Sequence, residues 1–254
     1  APTEVYATVD TTEDALALVA TLPEPWFLYV CYHAPHTPLH APPAALCQDE
    51  AACPKAFCTD LGPGSTNAER LKAMVEVLDR QLGRLVEAVD LDDTYLFFLG
   101  DNGTAALGVE PPFAPDEAKG TVHQGGVNVP LIVLGPDVVA GETTAPVGVT
   151  DLMATVGELT RTGVGAEDSV SFAPTLFDPS RRSRSTVYTE TFTPNGSPLP
   201  IDRHDYAMRD ERYKLLVQYN QPDELYDLST DPFEDHDLLP AATSQIQSVY
   251  ERLQ

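Results

Sequence analysis

The chain has 254 residues and 43% hydrophobic content, enough to bury a core in one large or two modest domains and too apolar for a disordered protein. Acidic residues outnumber basic ones 39 to 15, a formal charge of −24 that repels phosphate backbones and argues against a nucleic-acid partner. No run approaches the roughly 18 apolar residues of a membrane span, and Ala1 opens into polar residues with neither the basic nor the apolar part of a signal peptide.

Taken in order, Thr11-Thr12-Glu13-Asp14 ahead of Ala15–Ala20 reads as a capped amphipathic helix, stopped by Pro23 and Pro25. Trp26–Tyr32 predicts a buried strand. It leads into His33-Ala-Pro-His-Thr-Pro-Leu-His-Ala-Pro-Pro43, a stiff loop whose prolines exclude a helix. Residues 44–66 are an irregular insertion in which Cys47, Cys53 and Cys58 crowd together, at spacings unlike the CxxC pairs of a zinc site. A disulfide within this trio would imply an oxidising compartment, and the sequence does not choose the pair. Cys31 reads as a small buried hydrophobe.

From Asn67 to Val89 the apolar positions Leu71, Met74, Val75, Leu78, Leu82, Leu85, Val86 and Val89 keep helical spacing, with charges on the other face. Tyr95–Leu99 is an apolar run suited to a strand buried on both faces, and it ends abruptly in Gly100-Asp101-Asn102-Gly103. A Pro-rich loop leads to Lys119-Gly-Thr-Val-His-Gln-Gly-Gly126, after which Val129–Leu134 is a third apolar strand. Asp151–Leu159 is a short helix with Thr150 as its cap. Residues 160–185 read as surface loop, with Arg181-Arg182-Ser183-Arg184 a solvated basic turn.

Beyond Ser185 come short antiparallel-type strands at Thr186–Glu190, Tyr206–Arg209, Tyr213–Gln218 and Glu224–Asp227, then a turn-rich connector and a helix from Ala241. The expected fold is α/β, with a mixed, largely parallel sheet flanked by helices over residues 1–184. A small C-terminal antiparallel α+β subdomain with a terminal helix follows over residues 185–254.

Ligands gather outside the carboxyl ends of strands in open α/β sheets. Three loops fall there: His33/His36/His40, Asp101/Asn102 and Lys119/His123. Asp101 and Asn102 offer two hard oxygen donors of the kind Ca²⁺ or Mg²⁺ takes, although Asn-Gly is also a common turn dipeptide. With an ammonium and imidazoles they make a set suited to hydrolysing a sulfate or phosphate ester. Cations neutralise the non-bridging oxygens, and a histidine protonates the departing ester oxygen. Each part has a plainer reading: His36 and His40 hydrogen-bonded to loop carbonyls, Lys119 a surface lysine beside a turn. Pro38 keeps His36 and His40 off a helix, which weighs against zinc between them.

Four blocks in register give the chain a resemblance to the sulfatase family of the alkaline-phosphatase superfamily. They are Trp26–Pro42, Phe98-Leu-Gly-Asp-Asn-Gly-Thr104, Lys119-Gly-Thr-Val-His-Gln-Gly-Gly-Val-Asn-Val-Pro130, and the tail formed by Met208–Leu216 with Glu224–Pro232. The resemblance implies that Asp101 and Asn102 ligate a divalent cation, Ca²⁺ in preference to Mg²⁺. It implies that His36 stands near the leaving-group oxygen and that Lys119 binds the sulfate and assists departure. His123 and Gln124 depart from the family's usual aromatic-Glu pair and receive no role beyond lining the pocket.

The family's formylglycine arises from Cys or Ser in a C/S-x-P-x-R motif, and none of the four cysteines fits it. The paired aspartates that complete the metal shell and the G-K-x-x-H segment are also missing. The expectation is therefore a fragment of a sulfuric ester hydrolase, inactive alone and complemented by an N-terminal segment carrying the formylglycine. Its substrate would be a sulfate ester of a small molecule or glycan, and its location periplasmic or secreted. The alternatives are a phosphodiester or phosphonate ester hydrolase of the same superfamily, or a non-catalytic metal-binding relative.

Overall fold

The structure, a computed structural model, describes residues 5–47, 58, 61–194 and 200–254. The chain divides into two compact units. One comprises residues 1–96, 107–110 and 134–136; the other holds 97–106, 111–133 and 137–254.

The first unit is built on two packed helices, α1 (Ala7–Val19) and α2 (Asn67–Ala88). Thr66 caps α2 by accepting from Glu69 N at 3.2 Å, while the Glu69 carboxylate accepts from Thr66 N at 2.7 Å. This reciprocal cap and the 3.6-residue apolar period explain why α2 begins where the sequence places it. Its buried side includes Ala73, Met74, Val77, Leu78 and Leu85. Ala73 and Val77 pack on the Cys47–Cys58 disulfide, which resolves the pairing the sequence left open, and Met74 packs with Ala34 and Leu39. Cys53 lies outside the described residues. Glu76, buried in α2, pairs with Arg80 at 2.7 Å and accepts from Cys58 N at 3.0 Å.

Two local expectations need correction here. Helix α1 starts at Ala7, before the expected cap; Thr12 is interior, donating to Thr8 O at 2.8 Å and lying 2.9 Å from the Tyr32 hydroxyl. Tertiary contact has overridden its capping tendency. Trp26–Tyr32 is extended, but it belongs to no ladder among the described residues. Its exposure alternates as a strand's would: Phe27, Tyr29 and Cys31 are exposed, and Trp26, Leu28, Val30 and Tyr32 are half-buried. Cys31 is accordingly a free, exposed thiol, not a buried one.

Strand β1 (Leu96–Leu99) pairs with β2 (Leu131–Leu134) in a two-stranded sheet. Gly100 N donates to Pro130 O at 3.1 Å beyond one end of the pair, and Gly135 packs on Tyr95 beyond the other, so the strands are antiparallel. The expected largely parallel sheet is not found among the described residues. The link from β1 to β2 carries short helical turns, not the packed crossover helix typical of a parallel pair. Nor is β1 buried on both faces: its residues are half-buried, and Leu131 and Ile132 of β2 are exposed. The composition remains mixed α/β.

The second unit holds the four-stranded antiparallel sheet β3 (Val187–Thr193), β4 (Arg203–Arg209), β5 (Tyr213–Val217) and β6 (Glu224–Asp227), in that order. Tyr206 pairs with Val217, and Leu215 with Leu225. Because side chains alternate along a strand, the sheet has two apolar faces. Tyr213, Leu215 and Leu225 pack on Val249 and Leu253 of the terminal helix α6 (Ser244–Leu253). Ala207, Leu216 and Tyr226 pack on Val122 on the opposite face.

Upstream, α4 (Asp151–Leu159) follows Thr150, whose side chain makes no capping bond. Buried Asp151 instead organises this region, accepting from Gly148 N and Val170 N at 2.9 Å each and pairing with Arg184. Within residues 160–185, expected as loop, lies α5 (Ala173–Phe177). The basic turn is also tied down: Arg182 pairs with Glu211 at 2.6 Å, and that hydrogen bond holds the Glu211 carboxyl down at about 2.

Candidate functional site

Asp101 and Asn102 stand where β1 ends, and β2 fixes that exit through the Gly100–Pro130 hydrogen bond. Backbone contacts then stitch this corner to the lysine segment. Gly103 N donates to Gly126 O at 2.9 Å, and Lys119 N donates to Thr104 O at 3.0 Å. The approach leaves no space for side chains. A Cβ on Gly103 would sit 1.9 Å from Gly125 O, and one on Gly126 would sit 2.4 Å from Thr121 O. Gly103 therefore serves the close contact between the two backbones, while Gly126 serves a tight turn within the lysine segment. The Asp101 and Lys119 side chains are exposed, and Asn102 is half-buried. Their carboxylate and amide oxygens fit part of the all-oxygen shell of a hard divalent cation, short of the six to eight ligands Ca²⁺ takes.

Behind the lysine segment lies a buried charged cluster. The short helix α3 (Gln124–Val127) has no side-chain cap from its own preceding residue, His123. Its first amide, Gln124 N, instead donates to Glu234 Oε2 at 2.6 Å, across 110 residues of chain. Glu234 Oε1 lies 2.7 Å from Lys214 Nζ, and both side chains are almost wholly buried, at 1% and 2% exposure. Lys214 Nζ also donates to Gln124 Oε1 at 3.3 Å. Glu234 Oε2 is 3.4 Å from His123 Nδ1, while Gln218 Nε2 is 3.5 Å from His123 Nε2.

Burial alone would raise the Glu234 carboxyl, but His123, the Lys214 ammonium and the Gln124 amide together hold it below the ordinary carboxylate range. Burial pushes the Lys214 ammonium below its ordinary value against the pull of Glu234. Burial likewise lowers the Arg209 guanidinium, although Glu234 opposes the shift. Neither Lys214 nor Glu234 was assigned a role from sequence. The available signal was a lysine inside the apolar strand Tyr213-Lys-Leu-Leu-Val217, since a buried ammonium calls for a buried carboxylate.

His36 belongs to the first unit and is exposed, its Nδ1 2.8 Å from Thr37 O; His40 Nδ1 is 2.8 Å from Pro38 O. Both imidazoles thus make the loop-carbonyl bonds of the plainer reading. With Nδ1 donating, Nε2 of His36 is the nitrogen left for chemistry. Among the described residues, Asp231, Asp235 and His236 bring three ligand-type atoms within 4.8 Å of one another. Asp231 is already occupied as a turn brace, accepting from Asp235 N at 3.0 Å and His236 N at 2.9 Å.

The Sulfatase family's sequence profile matches residues 3–162, more than half of the chain, so the chain belongs to the sulfatase family. A sulfatase of Formosa agariphila is 28% identical over 247 residues, covering 87% of this chain and 43% of the relative. Among solved structures, Ps i-CgsB is 26% identical with a TM-score of 0.76, covering 99% of this chain and 55% of that one, and it is also known in complex with k-i-k-neocarrahexaose. The phosphonate monoester hydrolase of Agrobacterium radiobacter shares the fold over 74% of this chain and 41% of its own, at TM-score 0.54 and 22% identity. The chain spans less than half the length of the curated relatives it matches.

Proposed function

We propose that this chain carries part of the active site of a sulfuric ester hydrolase acting on a small-molecule or glycan sulfate. The observation that supports this reading is the backbone stitching of Asp101-Asn102-Gly103 to Lys119 and Gly126 in one unit of a sulfatase-family chain. A divalent cation, Ca²⁺ before Mg²⁺, held by Asp101 and Asn102 would supply positive charge opposite the sulfate oxygens. The Lys119 ammonium, free to reach solvent, binds the sulfate and offsets the charge growing on the departing oxygen. The family resemblance gives His36 the role of proton donor to that oxygen; with Nδ1–H bonded to Thr37 O, it is the imidazolium that carries the transferable Nε2 proton.

None of the four cysteines lies in a C/S-x-P-x-R motif. The nucleophile of this reading is therefore a formylglycine on a segment outside these residues, and the 254 residues alone are inactive. The Cys47–Cys58 disulfide fits export to the periplasm or exterior. The carrageenan oligosaccharide bound by Ps i-CgsB makes a sulfated glycan the first substrate to try.

The test uses the whole protein with its formylglycine-bearing segment. Release of sulfate from p-nitrophenyl sulfate or carrageenan oligosaccharides is expected, with Lys119→Ala slowing it about 100-fold or more. Faster turnover of phosphonate or phosphate esters would move the assignment to the phosphonate hydrolase reading, for which the shared fold is the motive. Cation binding without turnover of any ester would leave a non-catalytic relative.

A further inference from the structure

The Lys119 segment is braced by groups with no place in the chemistry above. We infer that Glu234, fixed by Lys214, is a positioning residue that sets the Lys119–Gly126 segment against the Asp101–Asn102 corner; the catalytic consequence rests on the sulfatase reading. Glu234 comes from the turn after β6 and Lys214 from β5, so this pair ties the lysine segment to the C-terminal sheet, beside the Val122 packing and the His123 contacts.

The connection can be followed atom by atom. Oε1 of Glu234 takes the Lys214 ammonium, which keeps the carboxylate charged in a site closed to water. Oε2 takes the first amide of α3, Gln124 N, at 2.6 Å. Two residues on, Gly126 O receives Gly103 N, and Gly125 O lies so close that a Cβ on Gly103 would meet it at 1.9 Å. At its other end the segment is tied by Lys119 N to Thr104 O. The lysine segment is thus fastened on one side to the metal-type corner and on the other to a buried carboxylate.

His123 falls under the same control. Glu234 Oε2 faces its Nδ1, and the Gln218 side chain faces its Nε2. The ring is thus held between a carboxylate at one nitrogen and an amide NH₂ at the other. Gln124 Oε1 accepts from Lys214, which leaves Glu234 as the ammonium's carboxylate.

Two variants separate positioning from mere stability. Glu234→Gln keeps the shape and loses the charge. The double change Lys214→Met with Glu234→Leu replaces the buried pair by apolar volume, an exchange that is often neutral or stabilising. In the 254-residue chain, amide hydrogen exchange at Gln124, Gly126 and Gly103 should quicken about tenfold or more in both variants while global unfolding of the double variant stays near wild type. The imidazole ¹⁵N shifts of His123 should change in both variants, because Glu234 Oε2 no longer faces its Nδ1 as a carboxylate. In the whole protein, kcat for aryl sulfate should fall about 10- to 100-fold with KM little changed, the size expected for loss of a supporting residue. Unchanged exchange and unchanged ¹⁵N shifts in both variants would overturn the inference. A wild-type protein with no sulfatase activity would instead remove only the functional reading, because the exchange and ¹⁵N readouts do not need turnover.

Discussion

The histidine loop and the lysine segment, both candidates for the site, are held by opposite means. His33–Pro43 is fixed locally: prolines restrict its backbone, and His36 and His40 bond carbonyls one and two residues away. The Lys119–Val127 segment is fixed from a distance, by a carboxylate 110 residues along the chain. The same contrast separates the surroundings. Around α2 the first unit has a local cap and a disulfide, with the buried Glu76–Arg80 pair one helical turn apart; in the second unit the Lys214–Glu234 pair joins distant elements. Local fastening is legible in a sequence and fails piecemeal. Distant fastening is nearly invisible there and fails all at once.

The largest test of this contrast is Glu234→Ala. It leaves the Lys214 ammonium buried without its carboxylate, which should cost about 3–5 kcal/mol in urea unfolding followed in the second unit. The native pair should also make that unit acid-sensitive. The Glu234 carboxyl is lowered in the folded state, so its contribution is complete above the ordinary glutamate range, near pKa 4.3, and is lost as pH falls below it. Unfolding midpoints between about pH 6 and 3 should drop more steeply for wild type than for the Lys214→Met, Glu234→Leu variant; parallel slopes would deny Glu234 this role.

Next in size is removal of the Cys47–Cys58 disulfide by Cys47→Ala with Cys58→Ala. The two cysteines are 11 positions apart in sequence, and the loss should cost about 2–4 kcal/mol. Proteolysis should then quicken at residues 61–66 while the Gln124 amide keeps its exchange rate. A matching change at Gln124 would erase the distinction between the two units.

The smallest effect is expected from Thr66→Ala, which removes the α2 cap at about 1 kcal/mol. Helix-start amides near Glu69 should fray with no change at α3. A loss well above that size would mean the cap supports more than its own helix.

What the sequence could disclose follows the same division. Helix α2 was readable from its period, ending within a residue of expectation, because both its cap and its apolar stripe are short-range. The strands β3 to β6 were readable from their spacing and flanking turns. Trp26–Tyr32 was misread as a strand in a ladder because an apolar alternation states which faces differ, not whether a neighbouring strand is there. Parallel pairing was expected for the same reason: apolar runs do not encode direction. Asp101, Asn102 and Lys119 stand out in the sequence because glycines flank them, and the structure joins the backbones of their two segments. Lys214 and Glu234 were passed over because nothing local signals that a lysine in one strand and a glutamate in a later turn converge on one amide.

The glycine contact between the two edges of the site has a consequence for how its gene can drift. With a Cβ at residue 103 meeting a carbonyl at 1.9 Å and one at residue 126 meeting another at 2.4 Å, these codons have almost no neutral neighbours. Neutral substitution is expected beside them instead, at exposed positions such as Leu107 and Asp116. The seam therefore tolerates little change, and the exposed positions beside it tolerate more.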